Sequence, residues 1–91
     1  MRRIVWTRTA RAHWKSMFLR LAGECPQSAR AMNDARVRKL AIAAESPEYG
    51  CLGRVAGTRE LRLCPQDVLI VYAAAGDVLT VLEVIDDSPE P

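Results

Sequence analysis

Hydrophobic residues in this chain follow three different periods, and each change of period marks a change of element. Arg3-Ile4-Val5-Trp6-Thr7 is β-branched and aromatic and reads as a short strand. Trp14, Met17, Phe18, Leu21 and Ala22 then recur at i, i+3, i+4, i+7 and i+8, one apolar stripe of an amphipathic helix that Thr7 or Thr9 can cap. Gly23-Glu24-Cys25-Pro26 interrupts it, since Gly closes helices and Pro opens them at the first position. A second helix is predicted from Pro26 to Ala44, with Ala29, Met32 or Asn33, Val37, Leu40, Ala41 and Ala44 inward. Arg30, Arg36, Arg38 and Lys39 fall largely outside that stripe. The short link makes the two helices an antiparallel hairpin.

After Ser46-Pro47-Glu48-Tyr49-Gly50 the pattern turns strand-like. Arg59 to Leu63 alternates, with Leu61 and Leu63 on one face. Cys64-Pro65-Gln66-Asp67 is a turn, because Pro65 cannot donate to a central ladder. Val68 to Tyr72 is an unbroken apolar run, the signature of a central strand buried on both faces. Gly76-Asp77 turns the chain into a last strand, Val78 to Ile85, in which only Thr80 and Glu83 are polar. The predicted class is α+β in the order β-α-α-β-β-β: an N-terminal strand and a helical hairpin packed on a small, mainly antiparallel sheet. Residues 1–85 form one domain and residues 86–91 an acidic tail.

The balance of 49% hydrophobic and 26% charged residues is that of a globular chain and excludes wholesale disorder. The net charge of +2 conceals an asymmetry: residues 1–62 hold all 13 Lys and Arg against five acids, a net +8, and residues 63–91 hold six acids and no Lys or Arg, a net −6. A basic face and an acidic end follow, or more plainly a solvated hairpin with a solubilising terminus. Cys25, Cys51 and Cys64 have no CxxC spacing and read as reduced thiols; with the single His13 they give no usual zinc set, so neither a metal nor a cofactor is expected. No signal peptide is visible and the longest apolar run, Val68 to Gly76, is too short to span a membrane, so the chain reads as soluble and cytoplasmic.

The stretch Gly53-Arg54-Val55-Ala56-Gly57-Thr58-Arg59-Glu60-Leu61 carries more chemistry than a turn requires. Its two guanidinium groups suit carboxylate or phosphate partners, although an ion pair between Arg59 and Glu60 is the simpler use. No Ser/His/Asp or Cys/His set stands beside it, and Gly50, Gly53 and Gly57 match neither dinucleotide nor P-loop spacing. His13 reads as a surface or groove residue, and no catalytic residue is assigned.

These blocks, with Pro47-Glu48-Tyr49-Gly50, Val68-Leu69-Ile70-Val71-Tyr72 and Gly76-Asp77-Val78, resemble the RelE/ParE toxin superfamily on its ParE side. The resemblance runs over nearly the whole chain and implies the toxin half of a type II toxin–antitoxin pair. ParE-like members poison DNA gyrase; RelE-like members cut mRNA in the ribosome with basic residues on the sheet and near the C-terminus. This chain departs from the RelE pattern: Glu83 and Asp86-Asp87 stand where cations or a His-Gly pair are usual, and no cation follows Arg62. A carboxylate ~4 Å from a phosphate costs about 4 kcal/mol at an effective dielectric near 20. The resemblance therefore implies a non-enzymatic, gyrase-binding toxin, with a ribosome-dependent nuclease or an inactive antitoxin binder as alternatives. The implied partner is a ParD-like antitoxin, a ribbon-helix-helix protein with a C-terminal tail, in a hetero-oligomer with no membrane. Arg54, Arg59, Arg62 and Tyr72, with Leu19 and Ile42 off their helices' stripes, are the candidate contacts to target or antitoxin.

Overall fold

The computed structural model describes residues 1–64 and 67–87. Its elements are β1 (Arg3–Trp6), α1 (Arg8–Glu24), α2 (Pro26–Glu45), a 3-10 turn (Pro47–Tyr49), β2 (Cys51–Leu52), β3 (Arg59–Leu63), β4 (Val68–Ala75) and β5 (Val78–Asp86). The five strands form one sheet in the order β1-β5-β4-β3-β2. β1 runs parallel to β5; every other pairing is antiparallel. The predicted α+β class holds, with one strand and one 3-10 turn more than the pattern indicated. β2 is too short, at two residues, for periodicity to register it.

Local chemistry sets the helix ends. Thr7 caps α1, its side chain accepting from the Ala10 N–H at 3.0 Å, while its own hydroxyl donates to the Leu82 carbonyl of β5 at 3.0 Å. Cys25 is both the last cap of α1 and the first of α2, with Pro26 opening the second helix. Directly paired residues share a sheet face. Leu61, Ile70 and Val84 are in register, as are Leu63 with Val68 and Tyr72 with Val81. These side chains form one buried cluster with Met17 of α1 and Met32, Ala35, Leu40 and Ala43 of α2. Leu69, also buried, lies outside that cluster and alternates to the opposite face, so β4 is covered on both sides there.

Two expectations for α2 need correcting. Val37 is 53% exposed, and Ala35 and Ala43 are buried in its stead. The cause is Arg36, whose guanidinium sits 5.2 Å from the Trp6 ring and 5.0 Å from the Trp14 ring and donates to Asn33 Oδ1 at 2.9 and 3.2 Å. Arg36 thus occupies the middle of the inward stripe, between Met32 and Leu40, as an aromatic-stacked cation. Burial lowers its pKa from the ordinary value. The Cys64–Asp67 turn lies partly outside the described residues, as does the acidic tail beyond Asp87.

Candidate functional site

The segment leaving α2 has little packing of its own, and side chains from the central strands fix it. Tyr72 of β4 is 1% exposed. Its hydroxyl donates to the Pro47 carbonyl at 2.5 Å and accepts from the Gly50 N–H at 2.9 Å. Burial pushes the phenol pKa up, the Gly50 hydrogen bond opposing it. Gly50 is required here, because a Cβ would stand 2.6 Å from the Tyr72 hydroxyl. Arg59 is in register with Tyr72 and donates through Nη1 to the Gly50 carbonyl at 2.8 Å and the Glu48 carbonyl at 3.3 Å. These two residues are struts that hold the 3-10 turn and so place β2 at the sheet edge. The Tyr72 hydroxyl and Arg59 Nη1 are both engaged within the chain.

The 53–58 loop closes on itself. The Gly53 N–H donates to the Thr58 carbonyl at 2.9 Å, and the Thr58 N–H and hydroxyl both donate to the Val55 carbonyl, at 3.1 and 2.6 Å. Glu60 does not pair with Arg59. It accepts from the Arg54 backbone N–H at 3.2 Å and lies 3.8 Å from Arg54 Nε. Arg62 Nη1 meets Asp67 Oδ1 at 3.1 Å and Nη2 meets Asp87 Oδ2 at 3.4 Å. The other Asp87 oxygen lies 3.9 Å from Arg54 Nη2. Asp87 is held in place by its N–H, which donates to the Asp67 carbonyl at 2.9 Å. The hydrogen bond that Arg62 donates to Asp67 raises the Arg62 pKa above its ordinary value. Arg54 and Arg62 on this edge are thus faced by the chain's own carboxylates, whereas Arg59 is held by backbone carbonyls.

The remaining sequence-chosen residues lie elsewhere. Leu19 on α1 and Ile42 on α2 are 57% and 39% exposed and do not join the arginine cluster. The residues missed are the edge group Tyr49, Leu52 and Val55, of which Leu52 is 80% exposed. Leu52 and Val55 flank Gly53-Arg54, and large apolar residues beside a loop glycine were the signal available. On the other flank, His13 Nδ1 and Glu83 Oε1 are 2.5 Å apart and Arg20 Nη2 lies 2.8 Å from Asp86 Oδ2. His13 and Asp86, with Ser16, Met17 and Val84, border a shallow recess of about 210 Å³. Among the described residues no group of His, Cys, Asp and Glu is arranged to hold a metal ion, and no helix is long and apolar enough to cross a membrane.

A helical hairpin on a five-stranded sheet is a fold shared with chains of two solved toxin–antitoxin systems. A chain of the chromosomal ParDE system from P. aeruginosa superposes with a TM-score of 0.75 at 20% identity, covering 92% of this chain and 94% of that one. A chain of the intact E. coli RelBE toxin–antitoxin complex superposes with a TM-score of 0.65 at 17% identity, covering 98% and 100%. The family model for the ParE toxin of the type II toxin–antitoxin system parDE matches residues 4–89, and the chain belongs to that family. No curated protein matches it. It is a type II toxin of the ParE/RelE type, a class that pairs with an antitoxin.

Proposed function

We propose that the chain is a non-nucleolytic, ParE-like toxin that inhibits DNA gyrase by binding it and is neutralised by a ParD-like antitoxin with an acidic C-terminal tail. The observation that carries this reading is the neutralised arginine edge. Arg54 and Arg62 face Glu60, Asp67 and Asp87, and Arg59 is spent on backbone carbonyls. A nuclease of this fold needs cations free to bind a scissile phosphate and groups free to move protons. On this edge a phosphate meets carboxylates already seated on the guanidinium groups. A protein surface can instead accommodate such a mixed-charge patch at its polar rim. Leu19 and Ile42 on the helices, and Leu52 on the two-residue edge strand, are apolar contacts of the kind an antitoxin helix or added strand uses.

The test is a DNA supercoiling assay with purified gyrase and purified toxin. Loss of supercoiling, or accumulation of gyrase-cleaved DNA, is expected and is reversed by the antitoxin. No effect at any toxin concentration sinks the gyrase reading. Primer extension on translated mRNA tests the nuclease alternative, which is promoted by cleavage within codons that Arg62→Ala abolishes. Expression without growth arrest identifies a chain that only binds its antitoxin.

A further inference from the structure

Among the described residues, Arg3, Arg30 and Arg38 have no ion pair or side-chain hydrogen bond, and neither does a group of three cations on α1, away from the arginine edge. Arg8, Arg11 and Lys15 are exposed, and their side chains make no ion pair or hydrogen bond with the described residues. Spaced three and four residues apart, they share one helix face. That face is turned away from Ala10 and Met17, which enter the core, and from His13 and Arg20, which pair with Glu83 and Asp86 of β5. No acid occurs in α1 before Glu24, its last residue. The exposed face of α2 contrasts with it. There Arg30 and Arg38 each lie one turn from Asp34, the interleaving of a simply solvated helix.

The arrangement works against helix stability. Arg8 is the first residue of α1 and the first turn contains no acid, so positive charge is stacked on the positive end of the helix dipole. From Arg8 to Lys15 the helix rises about 10 Å, which is about three base-pair rises along the axis of a duplex. Between them the only apolar residue on this face is Ala12; exposed Leu19 stands a further turn away. A protein partner binds through a desolvated apolar centre ringed by charge. A ridge of bare cations without such a centre suits a phosphate backbone, which is contacted by Arg and Lys with no demand for apolar burial.

We infer that the Arg8–Arg11–Lys15 ridge of α1 is a docking surface for the phosphate backbone of duplex DNA. The docking is expected to be independent of base sequence, because contacts to phosphates carry no sequence information directly. The inference stands apart from the gyrase reading. A toxin held on duplex is brought close to enzymes that act on DNA, but the ridge does not require gyrase to be the one it meets.

The probe is a fluorescent mixed-sequence duplex of roughly 25 bp, titrated with the purified chain and read by anisotropy. Three contacted phosphates predict a slope of about −2.7 in log K against log salt, an affinity loss of about 40-fold between about 50 and 200 mM. Arg8→Gln/Arg11→Gln/Lys15→Gln is expected to remove binding and the slope together, with Tm unchanged or raised because cations leave the helix N-terminus. Arg30→Gln/Arg38→Gln, the control on α2, is expected to bind as the parent does. The inference is overturned if the parent does not bind at the lower salt, if the α1 variant binds as the parent does, or if the α2 control loses as much per charge. It is also overturned if the ridge variant loses binding to polyglutamate but not to duplex, which would mark an acidic polypeptide as the occupant. Supercoiling inhibition, measured on the same preparations, reports separately on the gyrase reading.

Discussion

Tyr72 ties the sheet to the segment that leaves α2, because one hydroxyl satisfies both a backbone donor and a backbone acceptor there. Tyr72→Phe strands the buried Gly50 N–H and is expected to cost about 1–3 kcal/mol in urea denaturation. It also alters the pH response. The phenol pKa is raised in the folded state above its ordinary 10.0, mainly by burial, so the folded chain holds that proton to higher pH than the unfolded one. The associated stability is complete below pH 10 and is lost as pH rises through the folded value. Tyr72→Phe should abolish this alkaline loss, and an unchanged pH profile would discredit the assignment. Gly50→Ala places a methyl against the same hydroxyl and is expected to destabilise by about 1–3 kcal/mol. Arg59 and Arg62 separate in the same measurement. Arg59→Ala removes donors to two carbonyls and should cost about 1–2 kcal/mol, whereas Arg62→Ala, on an exposed pair, should leave stability nearly unchanged. Sequence reasoning found all of these residues and could not sort them. Whether a guanidinium points at solvent, a carboxylate or a carbonyl is set by register and by the path of the 3-10 turn.

At the scale of elements, α2 is where the apolar pattern misleads. A count of hydrophobic residues skips Arg36 and slides the stripe toward Val37, although Arg36 is the position that meets Trp6 and Trp14. Arg36→Ala is expected to destabilise by about 1–2 kcal/mol through lost stacking and stem packing, and to change tryptophan fluorescence; a silent spectrum would argue against the stack. The α1 stripe was legible because it contains no such residue. Even so, Trp14, Phe18 and Leu21 pack against the core while remaining partly exposed. Phe18→Ala should therefore fall at the lower end of the range for buried phenylalanine, about 3 kcal/mol. Strands β3, β4 and β5 were readable from alternation and run length, whereas β2 exists only because β3 pairs with it and the Tyr72 and Arg59 struts deliver it to the edge. No local property of Cys51-Leu52 encodes that.

For the whole molecule, the charge asymmetry in the sequence becomes a division of labour between surfaces. Asp67 and Asp87 fold back onto the arginine edge and Glu83 and Asp86 onto α1, while the Arg8–Arg11–Lys15 ridge has no acid against it among the described residues. Asp67→Asn/Asp87→Asn releases Arg54 and Arg62 from those carboxylates and is expected to delay elution from heparin to higher salt. Unchanged elution would mean the edge was never neutralised in solution. Composition announced the imbalance, but only the long-range approach of Asp87 to Arg54 and Arg62 determines which cations it silences. The one parallel pairing has a consequence in time. β1 is completed by residues 78–81 of β5, the last described strand, so every other described element is made before the first strand finds its neighbour. Until then β1 and the hairpin lack the partner that closes the sheet, and such distant pairing forms late and slowly. A fold whose first and last strands must meet is expected to close its sheet only once β5 is available, a delay set by topology alone.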